Sequence, residues 1–392
     1  MPKSLLKASA VMNTYSRFPL TLVKGKGSFV WDDKGEKYLD FTSGIAVCNL
    51  GHVPDAVYEK VQDQLQNLWH CSNLYHIPAQ EKLAELLIQN SFEGQVFFCN
   101  SGAEANEALI KLARKSGAEK GGSNKIVTFK QSFHGRTLAT LSATGQEKIQ
   151  AGFSALINDF IYLEFNSEEA LQQLKELDTS AVLLELVQGE GGVVPADQEW
   201  VNKLAEICRE KEMLLMIDEV QTGMGRTGTL FAFQQYGIKP DAVSLAKGLG
   251  SGFPIGAIIA SNQAAKVLGP GSHGSTFGGN PLSATAGLAT LEYIVGNNAA
   301  EAAQVLSNYL LEKLAELKSK HNQIKEIRGK GLLLGLVMDS EAAPLVNRLR
   351  EEEKVLSLTA GPNVLRILPP LTASKEDCDQ FIKSLGNILA EA

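Results

Sequence analysis

Short apolar runs that alternate with helical patterns dominate the middle of this chain, from about residue 90 to 290. Helix-like stretches with apolar residues three and four apart separate these runs. The runs are "GQVFFCN", "KIVTFK", "DFIYLEF", "AVLLELV", "MLLMIDEV", "DAVSLAK" and "GAIIAS". Strands that are apolar on both faces and alternate with helices are typical of a mostly parallel sheet covered on both sides. The pattern therefore predicts an α/β fold whose large domain holds a mostly parallel seven-stranded sheet covered by helices.

The character of the chain changes after about residue 300, where two charged helical stretches flank the strand-like "GLLLGLVM" and "VLRILPP". The last helix is predicted to begin at "SKED", with a capping box from Ser374 to Asp377. We expect an N-terminal segment (1–50) that packs with the small domain, a large cofactor-binding α/β domain (51–290) and a smaller α+β domain (291–392).

Composition excludes several classes of protein. The net charge of −7 over 392 residues, with scattered lysines, argues against a nucleic-acid partner. No apolar run approaches the ~18 residues of a membrane span, and the N-terminus lacks a signal-peptide hydrophobic region. Five cysteines are far apart, without a CxxC, which argues against disulfides and a zinc site and for a cytoplasmic location.

Two nucleotide-binding motifs are suggested and then rejected. "LLMIDEV" resembles the magnesium-holding strand of a phosphate-loop NTPase, but no G-x-x-x-x-G-K-[ST] is present. The match of residues 223–228 to G-x-G-x-x-G is weak, because the acidic residues precede the glycines instead of following ~20 residues later.

Lys247 is the only charged residue from Ala242 through Ala265, at the end of the apolar run "AVSLA". Desolvation there would lower its pKa and favour the neutral, nucleophilic amine. Pyridoxal phosphate needs such a lysine, a carboxylate for its pyridine nitrogen and a phosphate cradle. Asp218 can supply the carboxylate, and "NSGAEANEA" places free backbone N–H groups at a helix start. A cofactor-free lysine-imine aldolase and a catalytically inactive protein of this fold remain as alternatives, as does an ordinary helix cap at Ser101.

Six motifs, in order, closely resemble those of class III aminotransferases, which are pyridoxal phosphate enzymes of fold type I. They are "FFCNSGAEANEA", "SFHGRT", "QGEGGV", "IDEVQTGMGRTG", "AKGLGSGFPIGA" and "HGSTFGGNPL". The resemblance extends over nearly the whole chain. One departure is Glu185-Leu186, where the family often has Glu-Pro; it removes no functional group.

The resemblance implies a role for each residue of the cofactor site. Gly102 and Ala103 would bind the phosphate through their N–H groups, Phe133 and Val220 would cover the two ring faces, and Gln221 would hydrogen-bond the phenolic oxygen. Thr276 would reach the phosphate in the neighbouring subunit of a homodimer with shared active sites. The full predicted cofactor set is Ser101, Gly102, Ala103, Phe133, Asp218, Glu219, Val220, Gln221, Lys247 and Thr276.

The resemblance also implies a substrate site, because amino-acid and 2-oxoacid substrates carry carboxylates that arginine binds well. The residues are Arg136, Ser275, Arg366, Glu190 and Ile45. A structural ion-pair network is the alternative for the three charged ones, and a core role is the alternative for Ile45.

Lys247 would be catalytic and no metal is expected, since the histidines are not at metal-ligand spacing. The expected reaction moves the terminal amine of N-acetylornithine to 2-oxoglutarate in arginine biosynthesis. A 4-aminobutyrate or other ω-amino acid transaminase, with succinyldiaminopimelate as a further substrate, is the alternative.

Overall fold

The computed structural model describes residues 10–391. Its strands are β1 (Leu22–Lys26), β2 (Phe29–Asp32), β3 (Lys37–Asp40), β4 (Gly94–Cys99), β5 (Ile126–Phe129), β6 (Phe160–Leu163), β7 (Ala181–Leu184), β8 (Val187–Gln188), β9 (Val194–Pro195), β10 (Leu214–Asp218), β11 (Ala242–Leu245), β12 (Gly256–Ser261), β13 (Ile324–Lys330), β14 (Leu333–Met338), β15 (Val355–Leu356), β16 (Leu358–Thr359) and β17 (Val364–Ile367).

The helices alternate with these strands through the middle of the chain. They are α1 (Ser43–Ala46), α2 (Asp55–Leu65), α3 (Pro78–Gln89), α4 (Gly102–Glu119), α5 (Leu138–Ala143), α6 (Glu147–Gln150), α7 (Glu168–Glu176), α8 (Gln198–Glu210), α9 (Ala232–Tyr236), α10 (Asn262–Ala265), α11 (Pro281–Gly296), α12 (Ala299–Lys320), α13 (Ala342–Glu351) and α14 (Lys375–Ala390), with a 3₁₀ turn at Lys247–Leu249.

The central sheet has seven strands in the order β4-β12-β11-β10-β7-β5-β6. Neighbouring strands are parallel except at β12, which is antiparallel to both β11 and β4. Each of the seven apolar runs forms one of these strands. The prediction of a mostly parallel seven-stranded sheet is confirmed.

Alternate residues of β10 belong to two different cores, one on each face of the sheet. Leu215 and Ile217 pack in the cluster that contains Trp200 of α8. Met216 packs in the cluster that contains Leu109 of α4. Helices therefore cover both faces, which explains why the strands are apolar throughout.

Two smaller sheets are built from the ends of the chain. One has the order β1-β2-β3-β15, in which β15 from the C-terminal part runs parallel to β3. The other has the order β13-β14-β17-β16. The N-terminal segment thus pairs with the C-terminal part through β3 and β15. The predicted capping box is present, since Ser374 Oγ accepts from Asp377 N (3.1 Å) and Asp377 Oδ2 accepts from Ser374 N (3.0 Å).

The division of the chain at residues 50 and 290 stays a prediction, and the second boundary falls within α11. Residues 1–9 of the predicted N-terminal segment, and residue 392, lie outside the described residues. Within residues 10–391, no helix combines the length and the apolar character needed to cross a bilayer.

Candidate active site

A cavity of about 450 Å³ lies at the carboxyl ends of the parallel strands. This is where open α/β sheets bind their ligands. Most of the residues predicted from the sequence meet there. The predicted residues that line the cavity are Ser101, Gly102, Ala103, Phe133, Arg136, Glu190, Asp218, Val220, Gln221 and Lys247.

Lys247 lies two residues after the end of β11, at the start of the 3₁₀ turn, and has φ of +40°. Within the described part of the chain, its ammonium group makes no hydrogen bond or ion pair. Burial lowers the pKa of Lys247 from its usual value, although the Glu190 charge opposes this shift and the Arg366 charge adds to it. The cavity therefore contains a partner-free amine that gives up its proton more readily than an exposed lysine.

Asp218 ends β10 and is held in place by four neighbouring groups, one of which is Ser244 Oγ, which donates to its Oδ1 (3.4 Å). Asn106 Nδ2 donates to its Oδ2 (2.7 Å), and His134 Nδ1 lies 2.8 Å from the same oxygen. Because a carboxylate only accepts, this His134 nitrogen carries the proton. The backbone N–H of Val220 donates to Oδ1 (3.0 Å). The Asp218 carboxylate is thus oriented toward the cavity with a fixed geometry.

The start of α4 presents two free donors to the same cavity. Ser101 caps the helix, with its Oγ accepting from Glu104 N (3.2 Å). The N–H groups of Gly102 and Ala103 have no acceptor among residues 10–391. A Cβ atom at Gly102 would lie only 2.7 Å from Val220 Cγ1, so this position requires glycine. Two free N–H groups at the positive end of an 18-residue helix form an anion site.

Gln221 carries an unsatisfied polar atom in the cavity wall. Its buried Oε1 has no hydrogen-bond partner among the described residues. Phe133 and Val220 line the cavity beside it. The Gln221 side chain also hydrogen-bonds Glu190, but a buried amide oxygen without a donor is costly, so this atom suits a ligand that donates a hydrogen bond. Pyridoxal phosphate fits the residues present, since it needs an amine, a carboxylate, an anion site and apolar walls.

Two arginines stand near the cavity in different surroundings. Arg136 is exposed, with its guanidinium carbon 5.6 Å from the centre of the Phe133 ring. Arg366 is buried in β17 and donates through Nη1 to Glu190 Oε1 (2.6 Å) and through Nη2 to Glu190 Oε2 (3.3 Å). Burial opposes the ionisation of Glu190, but the Arg366 charge and hydrogen bonds outweigh it and lower the pKa of Glu190. Glu190 therefore covers Arg366 on its cavity side.

Five of the predicted residues do not line the cavity of this chain. Arg366 lies behind Glu190, and the Glu219 carboxylate turns away to accept from Thr222 Oγ1 (2.6 Å) and from Phe233 N (2.9 Å). Ser275 Oγ accepts from Asn100 Nδ2 (3.1 Å) at the rim. The remaining two, Thr276 and Ile45, are exposed.

Ile45 lies in a left-handed turn, α1, in which Ser43, Gly44, Ile45 and Ala46 have φ of 45°, 62°, 64° and 61°. A β-branched residue rarely adopts this conformation. Ser43 Oγ anchors the turn by donating to Leu368 O (2.6 Å). The turn leads into Val47, which lines the cavity, while the Ile45 side chain is 44% exposed.

Sequence reasoning missed several residues that the structure places in the cavity wall, among them three polar residues near Asp218. Asn106 and His134 contact Asp218, and Glu185 is a buried carboxylate beside them. The motifs "SGAEANEA" and "SFHGRT" contain the first two, but their shared partner is 84 to 112 residues away in the sequence. The His134 ring hydrogen-bonds Asp218, and the described residues include no group that could hold a metal ion.

Comparisons with known proteins agree with this geometry. The family model described as aminotransferase class-III matches residues 10–389. An acetylornithine aminotransferase of Oceanobacillus iheyensis is 55% identical over 386 residues, which cover 98% of this chain and 96% of the relative.

Two solved structures have the same fold. The N-acetylornithine aminotransferase of Stenotrophomonas maltophilia has a TM-score of 0.85 at 36% identity, covering 96% of this chain and 97% of the other. An ornithine aminotransferase of Toxoplasma gondii, whose structure reveals partial occupancy of PLP at its active site, has a TM-score of 0.93 at 30% identity, with 97% and 92% covered. The chain belongs to the class-III aminotransferase family.

Proposed function

We propose that this chain is an acetylornithine aminotransferase. It moves the terminal amine of N2-acetyl-L-ornithine to 2-oxoglutarate in arginine biosynthesis, giving N-acetylglutamate 5-semialdehyde and glutamate. The observation that carries the proposal is the partner-free Lys247 amine, in one cavity with the Asp218 carboxylate and the free N–H groups that begin α4. Relatives named for this activity support the choice of substrate.

The residues present would hold pyridoxal phosphate in one orientation. Gly102 and Ala103 N–H would bind its phosphate, Asp218 would face its ring nitrogen, and Phe133 and Val220 would cover the ring. When bound, the cofactor supplies an electron sink that stabilises negative charge on the carbon bearing the amine. Asn106 and His134 fix the orientation of the Asp218 carboxylate, whose negative charge would favour the protonated form of the ring nitrogen.

Lys247 has the properties of the group that moves protons at the reacting carbon. Its Nζ is free of partners, and burial lowers its pKa, so this amine gives up its proton more readily than that of an exposed lysine. The neutral amine can accept a proton at Nζ from the carbon that bears the substrate amine, and the resulting ammonium can release that proton again inside the cavity. The buried strand β11 and the 3₁₀ turn that follows it place the Lys247 backbone at the cavity.

The arginines explain how two different substrates use one site. Arg136 is open to the cavity and can bind a carboxylate of either substrate. Arg366 becomes available only when a carboxylate displaces Glu190. A dicarboxylate such as 2-oxoglutarate has a group for each arginine, whereas a donor with one carboxylate leaves the Glu190–Arg366 pair intact.

Steady-state kinetics with 2-oxoglutarate and a panel of amine donors tests the substrate. We expect kcat/KM to be highest for N-acetylornithine. A higher value for ornithine, 4-aminobutyrate or succinyldiaminopimelate would assign the enzyme to that donor instead.

We further propose a homodimer with shared active sites. Large apolar side chains are exposed around the 275–278 loop: Trp69 (61%), Leu74 (87%), Tyr75 (69%) and Phe277 (61%). Asn73 Nδ2 joins the two segments by donating to Ser275 O (3.0 Å) and Gly278 O (2.9 Å). An apolar patch of this kind suits a partner subunit, and it contains Thr276, which is expected to serve the partner's cofactor.

Hybrid dimers test the shared site. Chains with Lys247→Ala and chains with Thr276→Val are each expected to be inactive, and mixing them should restore part of the activity. Proven subunit exchange without any recovery would contradict shared sites.

We place the enzyme in the cytoplasm, since all five cysteines are free thiols.

A further inference from the structure

Glu185 is a buried carboxylate in the cavity wall to which the proposed mechanism assigns no role. It follows β7 directly and is 7% exposed. Its Oε2 accepts from the backbone N–H of Phe133 (2.9 Å), and its Oε1 accepts from the backbone N–H of Gly189 (3.4 Å). One side chain therefore holds two separate backbone segments.

The two segments carry different parts of the site. Phe133 lies beside the expected cofactor ring. Gly189 precedes Glu190, and its carbonyl oxygen accepts from Arg366 Nη1 (3.1 Å). A shift of the Gly189 backbone would thus move both the carboxylate that covers Arg366 and one acceptor of its guanidinium.

We propose that Glu185 is a positioning residue that couples the Phe133 segment to the Glu190–Arg366 pair. It does so by accepting one backbone hydrogen bond from each segment. This role rests on the proposed function of the cavity, but the contacts belong to the protein alone.

The coupling is strongest with an ionised carboxylate, because both of its oxygens are then full acceptors. An amide keeps one acceptor and directs a hydrogen at the other N–H, and a protonated acid keeps one full acceptor and one weaker one. The charged and titratable groups facing Glu185 are His134, Asp218 and Lys247. Burial raises the pKa of Glu185 to about 7; the His134 charge opposes this and the Asp218 charge adds to it.

The test compares Glu185→Gln with the matched control Asp241→Asn. Asp241 is also a partly buried carboxylate with a raised pKa, and it accepts the Leu215 N–H (2.8 Å) outside the cavity. Asparagine can keep that single bond. In Glu185→Gln, we expect the carbonyl oxygen to keep the shorter bond to Phe133 and the amide to face Gly189.

Hydrogen–deuterium exchange of the cofactor-free protein reads out the contact itself. In Glu185→Gln, the amides of residues 187–191 should exchange about tenfold faster, as expected for the loss of one charge-assisted hydrogen bond. Asp241→Asn should leave this segment unchanged. Equal exchange of the segment in wild type and Glu185→Gln would overturn the proposal, whatever the activity of the enzyme.

Kinetics of the holoenzyme separate a positioning role from a general structural one. We expect Glu185→Gln to change KM for 2-oxoglutarate several-fold, with a smaller change in kcat for the acetylated donor. In wild type, the same change in KM should appear as pH falls through about 7, the pKa of Glu185. The Glu185→Gln profile should be flat there, and the Asp241→Asn profile should follow wild type.

If Glu185→Gln does not fold, the wild-type pH profile and the Glu185→Asp variant, which keeps a charged acceptor, still decide the question. A wild-type KM for 2-oxoglutarate that shows no titration anywhere between about pH 5 and pH 9 would overturn the coupling. Failure of the proposed function would be seen separately, as a protein that binds no pyridoxal phosphate while the exchange result stands.

Discussion

Replacing Glu190 with glutamine tests whether this residue competes with substrate for Arg366. In the structure, Glu190 makes two hydrogen bonds to a guanidinium that is 3% exposed, and its own side chain is 31% exposed. An incoming carboxylate must break these bonds before it can bind Arg366. Hydrogen bonds to charged groups contribute about 1.5–3 kcal/mol, and partial solvent screening places this pair near the lower end, at about 1.5–2 kcal/mol.

Removing the competition should strengthen binding of a dicarboxylate by about 10- to 30-fold, since 1.4 kcal/mol corresponds to a factor of ten. The assay is calorimetric titration of the holoenzyme with glutarate, which resembles 2-oxoglutarate but lacks the reacting carbonyl. Glu190→Asp keeps the charge and should bind glutarate nearly as wild type does. The double variant Glu190→Gln/Arg366→Lys should lose the gain. Unchanged or weaker binding by Glu190→Gln would refute the competition.

The remaining predictions concern stability and donor choice. Burial raises the pKa of Glu219 to about 7, so the stabilising contribution of its protonated form is present below pH 4.5 and is lost as pH rises through 7. The melting temperature of Glu219→Gln should therefore fall less between pH 5 and 8 than that of wild type. Parallel melting profiles of the two proteins would contradict this. The Arg366 charge lowers the pKa of Glu190, so Glu190 contributes stability above pH 4.5 that is lost as pH falls through this lowered pKa. Wild type should therefore lose more stability on acidification than Glu190→Gln, which calorimetry can measure. Ile45→Tyr should raise kcat/KM for free ornithine relative to N-acetylornithine, because a hydroxyl can hydrogen-bond a free α-ammonium that an aliphatic side chain leaves unpaired. An unchanged ratio of the two kcat/KM values would show that other residues discriminate between these donors.

The sheet and most of the cavity could be predicted because they follow from local patterns. Each apolar run forms one strand, and the polar residues at the strand ends meet because parallel strands end at the same edge. The meeting of Lys247, Asp218 and the start of α4 in one cavity could therefore be predicted without knowing any long-range contact.

The rest depends on contacts between distant segments. The sequence around Asn106 does not indicate that its side chain hydrogen-bonds Asp218. Glu185 follows an apolar run, so the sequence indicates only that it lies at the end of a buried strand. The left-handed turn that contains Ile45 contradicts the local preference of a β-branched residue. It persists because surrounding contacts hold it, such as the bond from Ser43 Oγ to Leu368 O.

The most direct test of the account is to identify the lysine that binds the cofactor. The holoenzyme should absorb in the visible range, and borohydride should trap the cofactor on one lysine that peptide mapping identifies as Lys247. In Lys247→Ala, cofactor can still bind at the α4 anion site, but neither the trapped adduct nor turnover should be found. A trapped adduct on a different lysine, or turnover by Lys247→Ala at the wild-type rate, would contradict the account.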